Sequence, residues 1–149
     1  MIIDSGKRTA YPTGAVRDIK EGKGRCDLMP LDIVGEFLDS EVIKNINNFQ
    51  NTGFVQHLYN ALDFINADYY KDDVDMILDA SIHYEEGALK YGEYNWQKGI
   101  PVQSYIDSAT RHYLKHLRGD DDENHLRAFV WNILCLIWTV KHKEELGVD

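Results

Sequence analysis

From Leu31 onward, apolar residues recur every three or four positions with polar residues between them. In residues 30–49, Leu31, Val34, Leu38, Val42, Ile43 and Ile46 form one stripe, the mark of an amphipathic helix. Residues 51–70 repeat the pattern with Phe54, Leu58, Ala61, Leu62 and Ile65. A third segment, 72–92, has Asp72 or Asp73 as N-cap and Gly92 as its stop. A fourth opens at Pro101 and ends at Gly119. The last follows three aspartates, Asp120 to Asp122, and buries Leu126, Phe129, Val130, Ile133, Leu134 and Ile137. No alternating strand or hairpin signal stands out. The pattern predicts an all-α fold, a bundle of four to five helices, in a single domain over 1–149. Residues 31–149 form the bundle, and 1–30 form an irregular N-terminal arm punctuated by Pro12 and Pro30.

Charge divides the chain. Its net charge is −9, yet the arm holds Lys7, Arg8, Arg17, Lys20, Lys23 and Arg25. Such a segment reads either as a mobile tail or as a local supply of positive charge. The acidic whole argues against nucleic-acid binding, which needs a basic surface. Hydrophobic residues at 44% and charged residues at 28% describe a globular chain of 149 residues. Cys26 and Cys135 form no C-x-x-C pair and no disulfide framework, so a reducing cytoplasm is expected. The run Ala128–Val140 contains Asn132 and is shorter than the roughly 20 residues a span requires. No membrane partner is expected.

Two acid-and-histidine clusters carry the candidate chemistry. His83, Glu85, Glu86 and Lys90 share one helix, where His83 and Glu86 stand three apart. Taken alone, they also suit a solvated, salt-bridged face. The second cluster is Asp120, Asp121, Asp122, Glu123 and His125, reached from a helix holding Asp107, Arg111 and His112. Facing helices can bring these groups together. Oxygen ligands suit Mg²⁺ or Mn²⁺, and admixed imidazole admits Co²⁺ or Zn²⁺. Asn132 lies within FVWNILCLIW and needs a hydrogen-bond partner if buried. A phosphate-binding G-x-x-x-x-G-K-[ST] loop and an H-E-x-x-H pair are both absent.

The segments RDIKEGKGRCDLMPL, EEGALKYGEYNWQKGIP and DSATRHYLKHLRGDDDENHLRAFVWNIL together resemble a phage-associated family of dATP/dGTP diphosphohydrolase-like proteins. The resemblance covers Arg17–Leu31 and Tyr84–Trp138, and residues 32–82 are less characteristic. It implies a fold like that of the all-α nucleoside triphosphate pyrophosphohydrolases of the MazG and dimeric dUTPase type. Those enzymes hold Mg²⁺ with an E-E-x-x-E helix and an E-x-x-D helix. They cleave a nucleotide to its monophosphate and pyrophosphate. Here Glu85 and Glu86 match, but Leu89 stands for the third acid, and His125 and Ala128 stand for the second motif. Either the metal set is rebuilt from His83, His112, His125 and Asp120–Glu123, or the metal chemistry is reduced.

On this resemblance the chain is expected to be a metal-dependent nucleoside triphosphate diphosphohydrolase acting on a purine dNTP. The implied catalytic acids are Glu85, Glu86, Asp122 and Glu123. The implied ligands of Mg²⁺, or of Mn²⁺ or Co²⁺, are Glu85, Glu86, Asp121, Asp122, Glu123, His125, His83 and His112. Lys23, Arg25, Lys90 and Arg111 would meet the phosphates, while Tyr91, Asn95, Trp96 and Asn132 would hold the nucleotide. A dimer or tetramer in the host cytoplasm is the expected state. The competing expectation is a non-catalytic helical phage protein that binds a nucleotide or a host protein.

Overall fold

The computed structural model describes residues 5–19 and 21–149, so Lys20 of the basic arm lies outside the described residues. Its framework is helical, as the apolar spacing predicts: α1 (Leu31–Leu38), α2 (Glu41–Thr52), α3 (Gln56–Tyr69), α4 (Asp73–Tyr91), α5 (Val102–Arg118) and α6 (His125–Leu146). The stripe read as one helix across residues 30–49 is two. Asp39 adopts a left-handed conformation (φ 50°) and ends α1, and the Ser40 hydroxyl accepts the Ile43 N–H to start α2. A serine at this position competes for the backbone, which is why the apolar period continues while the helix does not.

α5 and α6 run antiparallel and form the centre of the bundle. Tyr105, Ala109 and Tyr113 pack with Phe129, Ile133 and Leu136, all buried. The short connection between them works because Gly119 takes φ +87° at the end of α5, a conformation costly for any residue with a Cβ. Asn124 then caps α6 by accepting the Arg127 N–H. α4 lies against α6, and the Asp72 carboxylate caps its start by accepting the Asp75 N–H. No helix among the described residues is long and apolar enough to cross a membrane.

The arm departs from the expectation of an irregular segment. It contains an antiparallel hairpin, β1 (Arg8–Ala10) with β2 (Val16–Asp18), followed by a 3-10 turn at Cys26–Leu28. Strands of three residues are too short to leave a period-two signal, which explains why the sequence pattern hides them. The hairpin is fastened to the bundle at several points. Thr13 donates to the Gly99 carbonyl at 2.5 Å, and Tyr11 to Ser104 at 3.2 Å. Asn95, buried after α4, acts as a surrogate strand: it accepts the Val16 N–H at 2.9 Å and donates to the Val16 carbonyl at 2.7 Å. Further along, Asp107 of α5 accepts the Cys26 N–H at 2.7 Å, and Arg111 donates to the Gly24 carbonyl at 2.7 Å.

Loss of the Asn95 amide strands both backbone groups of Val16. Asn95→Ala is expected to lower unfolding free energy by about 1–3 kcal/mol. Amide exchange should speed up most in the hairpin. Urea titration with exchange mass spectrometry checks this, and unchanged protection of residues 8–18 would refute the pinning role.

Candidate functional site

The hairpin, α4, α5 and α6 enclose a cleft of about 290 Å³. α4 offers His83, Gly87 and Tyr91 to it, successive residues four apart and so on one helix face. A Cβ built on Gly87 meets nothing within 4 Å, so this glycine leaves open space in the wall. Ser108, Arg111 and His112 come from α5, and Trp131 and Asn132 from α6. Arg17, Asp18 and Lys23 of the arm complete the enclosure.

At one end stands a histidine pair. His112 Nδ1 and His125 Nδ1 face each other at 2.9 Å, and His125 Nε2 meets Asp122 Oδ1 at 2.6 Å. Glu123 Oε1 lies 3.8 Å from His112 Nδ1. If Asp122 takes the Nε2–H of His125, its Nδ1 carries a bare lone pair. His112 Nδ1–H then fills the short gap between the rings. The His125 hydrogen bond holds the Asp122 carboxyl below the usual range. Burial, with His125 beside it, holds His112 well below its ordinary value and therefore neutral.

An imidazole pair beside a carboxylate is a ligand set for a divalent cation that displaces the proton between the rings. Ligand atoms of His112, Glu123 and His125 all lie within 4.8 Å of one another, and so do those of Asp120, Asp122 and His125. In the second group Asp120 is already clamped by Arg118.

The predicted site residues separate into those the cleft gathers and those it does not. His83, His112, Asp122, Glu123, Tyr91, Asn95, Arg111, Asn132 and Lys23 line it, with His125 directly behind. Glu85 is exposed on the outer side of α4, as is Leu89 at 84% exposure. The face on which the resemblance sets its acid motif therefore turns away from the histidine pair. Glu86 and Lys90 are half-buried on the flank of that face, outside the cleft lining, and Asp121 is exposed outside both ligand groups. Trp96 packs edge-on against Trp138 and Tyr84, a core anchor and not a wall of the cleft.

Several of the expected phosphate and base contacts have other partners. Arg25 forks onto the buried Asp27 at 2.8 and 2.7 Å. Arg111 is held by Asp107 at 2.6 Å, and Lys23 by Asp18 at 2.9 Å. Asn95 spends its amide on Val16, and one face of Tyr91 is covered by Arg8 at 4.8 Å. Neither cysteine is activated: burial raises the Cys26 thiol and pushes Cys135 up to about 12.

Arg17 is the residue that sequence reasoning passed over. It donates to Ser108 Oγ at 3.0 Å and Asn132 Oδ1 at 3.2 Å, with its guanidinium 5.3 Å from the Tyr105 ring and 5.7 Å from Trp131. The available signal was AVRDI, the arm's one run with apolar residues on both sides of a base. Asn132, expected to need a partner, has two: Arg17 and the Ala128 carbonyl.

Family comparison accords with this helical frame. The sequence model described as dATP/dGTP diphosphohydrolase, N-terminal, matches residues 60–148, and the chain belongs to that family. The match spans more than half of the chain and every helical residue of the cleft, while the hairpin lies outside it. Residues 60–82, read as less characteristic, fall inside the match. No curated protein and no solved structure matches the chain.

The buried histidine of α4 has a measurable consequence. Burial, with Arg17 as the next contribution, lowers His83 to about 3, whereas the unfolded chain titrates near 6.5. A depressed histidine stabilises fully above the unfolded value and loses that contribution as pH falls toward the folded one. Between pH 6 and 4, His83→Gln should therefore have a shallower stability slope than wild type, by up to about 1.4 kcal/mol per pH unit. Urea unfolding across that range checks it, and parallel slopes would refute it.

Proposed function

We propose that this chain hydrolyses a purine deoxynucleoside triphosphate to the monophosphate and pyrophosphate, in line with the name of its family. The observation that carries the reading is the cluster of His112, Glu123, His125 and Asp122 beside a cleft that also holds the half-buried Arg17. His112, Glu123 and His125 would hold a divalent cation, Mg²⁺ first and Mn²⁺ or Co²⁺ as alternatives. Two imidazole donors favour the softer ions of that group. When bound, the cation supplies charge neutralisation for the phosphate oxygens and acidifies water.

The protein's own groups carry the remaining steps. Asp122 fixes the ring orientation of His125, so that Nδ1 points at His112. Glu123, with its side chain one-tenth exposed, accepts the proton of the attacking water as the bond to phosphorus forms and pyrophosphate leaves. The Tyr91 ring and Ile100 give part of the cleft wall an apolar character suited to a base.

Incubation with each dNTP and NTP plus Mg²⁺, Mn²⁺ or Co²⁺, with products resolved by chromatography, tests the reaction. Monophosphate and pyrophosphate from dGTP or dATP are expected. Triphosphate or single phosphates would replace the reading with another phosphohydrolase. Nucleotide binding without turnover would leave a binding protein. For the cation, Glu123→Gln should weaken Mn²⁺ by about tenfold or more in calorimetry. Glu86→Gln, at a position outside the cleft lining, should bind Mn²⁺ as wild type does.

A further inference from the structure

The geometry points to Arg17 as the residue that takes a non-bridging oxygen of the nucleotide's phosphate chain, an inference that rests on the reading above. Its Nη1 is buried and has no hydrogen-bond partner, although it belongs to a side chain that lines the cleft. Among the described residues no carboxylate lies within ion-pair distance of this guanidinium, whereas Lys23, Arg25 and Arg111 each have one. A guanidinium nitrogen closed to water with neither hydrogen-bond partner nor counter-charge is costly to maintain. Here it is retained by two neutral acceptors and two aromatic faces, which orient the fork and leave its charge uncompensated. An incoming anion supplies what is missing.

The location favours phosphate over the base. Ser108 stands one helical turn before His112, and Asn132 two turns after His125. Those two residues tie Arg17 to both helices that carry the histidine pair. A phosphoryl group beside the histidine pair would thus share the cleft with the Arg17 side chain, and Nη1, closed to water as it stands, would meet a phosphate oxygen after a small shift of the guanidinium. A charge-assisted hydrogen bond in this dry setting has roughly twice the strength of a neutral one.

The test is calorimetry with inorganic pyrophosphate, dGMP and deoxyguanosine, in EDTA so that no cation contributes. Arg17→Gln should weaken pyrophosphate and dGMP by about tenfold to hundredfold while leaving deoxyguanosine unchanged. Arg17→Lys keeps the charge but cannot hold Ser108, Asn132 and a ligand together, so it should also fail to restore binding. Should the variants not fold, the wild-type Arg17 Nε–H resonance, assigned through the backbone, gives an independent readout and should shift on saturation with pyrophosphate. Equal pyrophosphate affinity in folded Arg17→Gln, or a stationary resonance at saturation, overturns the inference and leaves the hydrolase reading intact. An equal loss for deoxyguanosine overturns it as well, by making Arg17 a base contact. Wild type that binds neither pyrophosphate nor dGMP, and turns over no dNTP, removes the hydrolase reading and this inference together.

Discussion

The antiparallel packing of α5 on α6 is the constraint on which everything else depends. It sets one register, in which His112 meets His125 and Ser108 and Asn132 flank the same guanidinium. That register is fixed from the inside by Tyr113 against Phe129, with ring centroids 5.4 Å apart, and at the turn by the left-handed Gly119. A shift of one residue along either helix would rotate the site side chains by about 100° and scatter them. The cleft chemistry is thus a property of helix packing, and the arm is laid over a frame already assembled.

Counting charges gives a poor guide to this cleft. Arg111 appears in the lining, yet its guanidinium holds Asp107 and the Gly24 carbonyl, so it serves to anchor the arm. Lys23 and Asp18 neutralise each other at 2.9 Å. Burial opposes ionisation of Asp18, but its hydrogen bonds from Ser5 and Lys23 outweigh it and keep the carboxyl low. The imidazoles of His83 and His112 stay neutral for want of water. Among the described lining residues, the charges not yet accounted for are those of Arg17 and Lys115, and of Asp122 and Glu123.

The helices were legible because their apolar period survives without knowledge of partners. Asp72, Gly92 and Gly119 mark ends that the structure keeps. The α1–α2 break was not, since Ser40 interrupts the backbone without interrupting the stripe. The hairpin was not either, because three-residue strands carry no measurable alternation. For the site, residue type identified the histidines and the acids after α5, but not which way a helix face turns. Glu85 and Leu89 point outward because α4 commits Met76, Ala80 and His83 to the interior, a choice made by α6 and invisible in α4 alone. Arg17 was hidden by its company, one base among six in a segment that reads as a tail.

Gly87 places two demands of the fold in opposition. It sits in the middle of a 19-residue helix, where its backbone is not in the left-handed region and no neighbour would touch a Cβ. Neither conformation nor packing requires a glycine there, and alanine would raise helix stability by about 1 kcal/mol. Any side chain placed on that turn would project into the cleft from its α4 wall. The volume open to a ligand is therefore kept by a locally weaker helix, and a search for stabilised variants that favoured this position would select for a protein that is firmer and narrower at once.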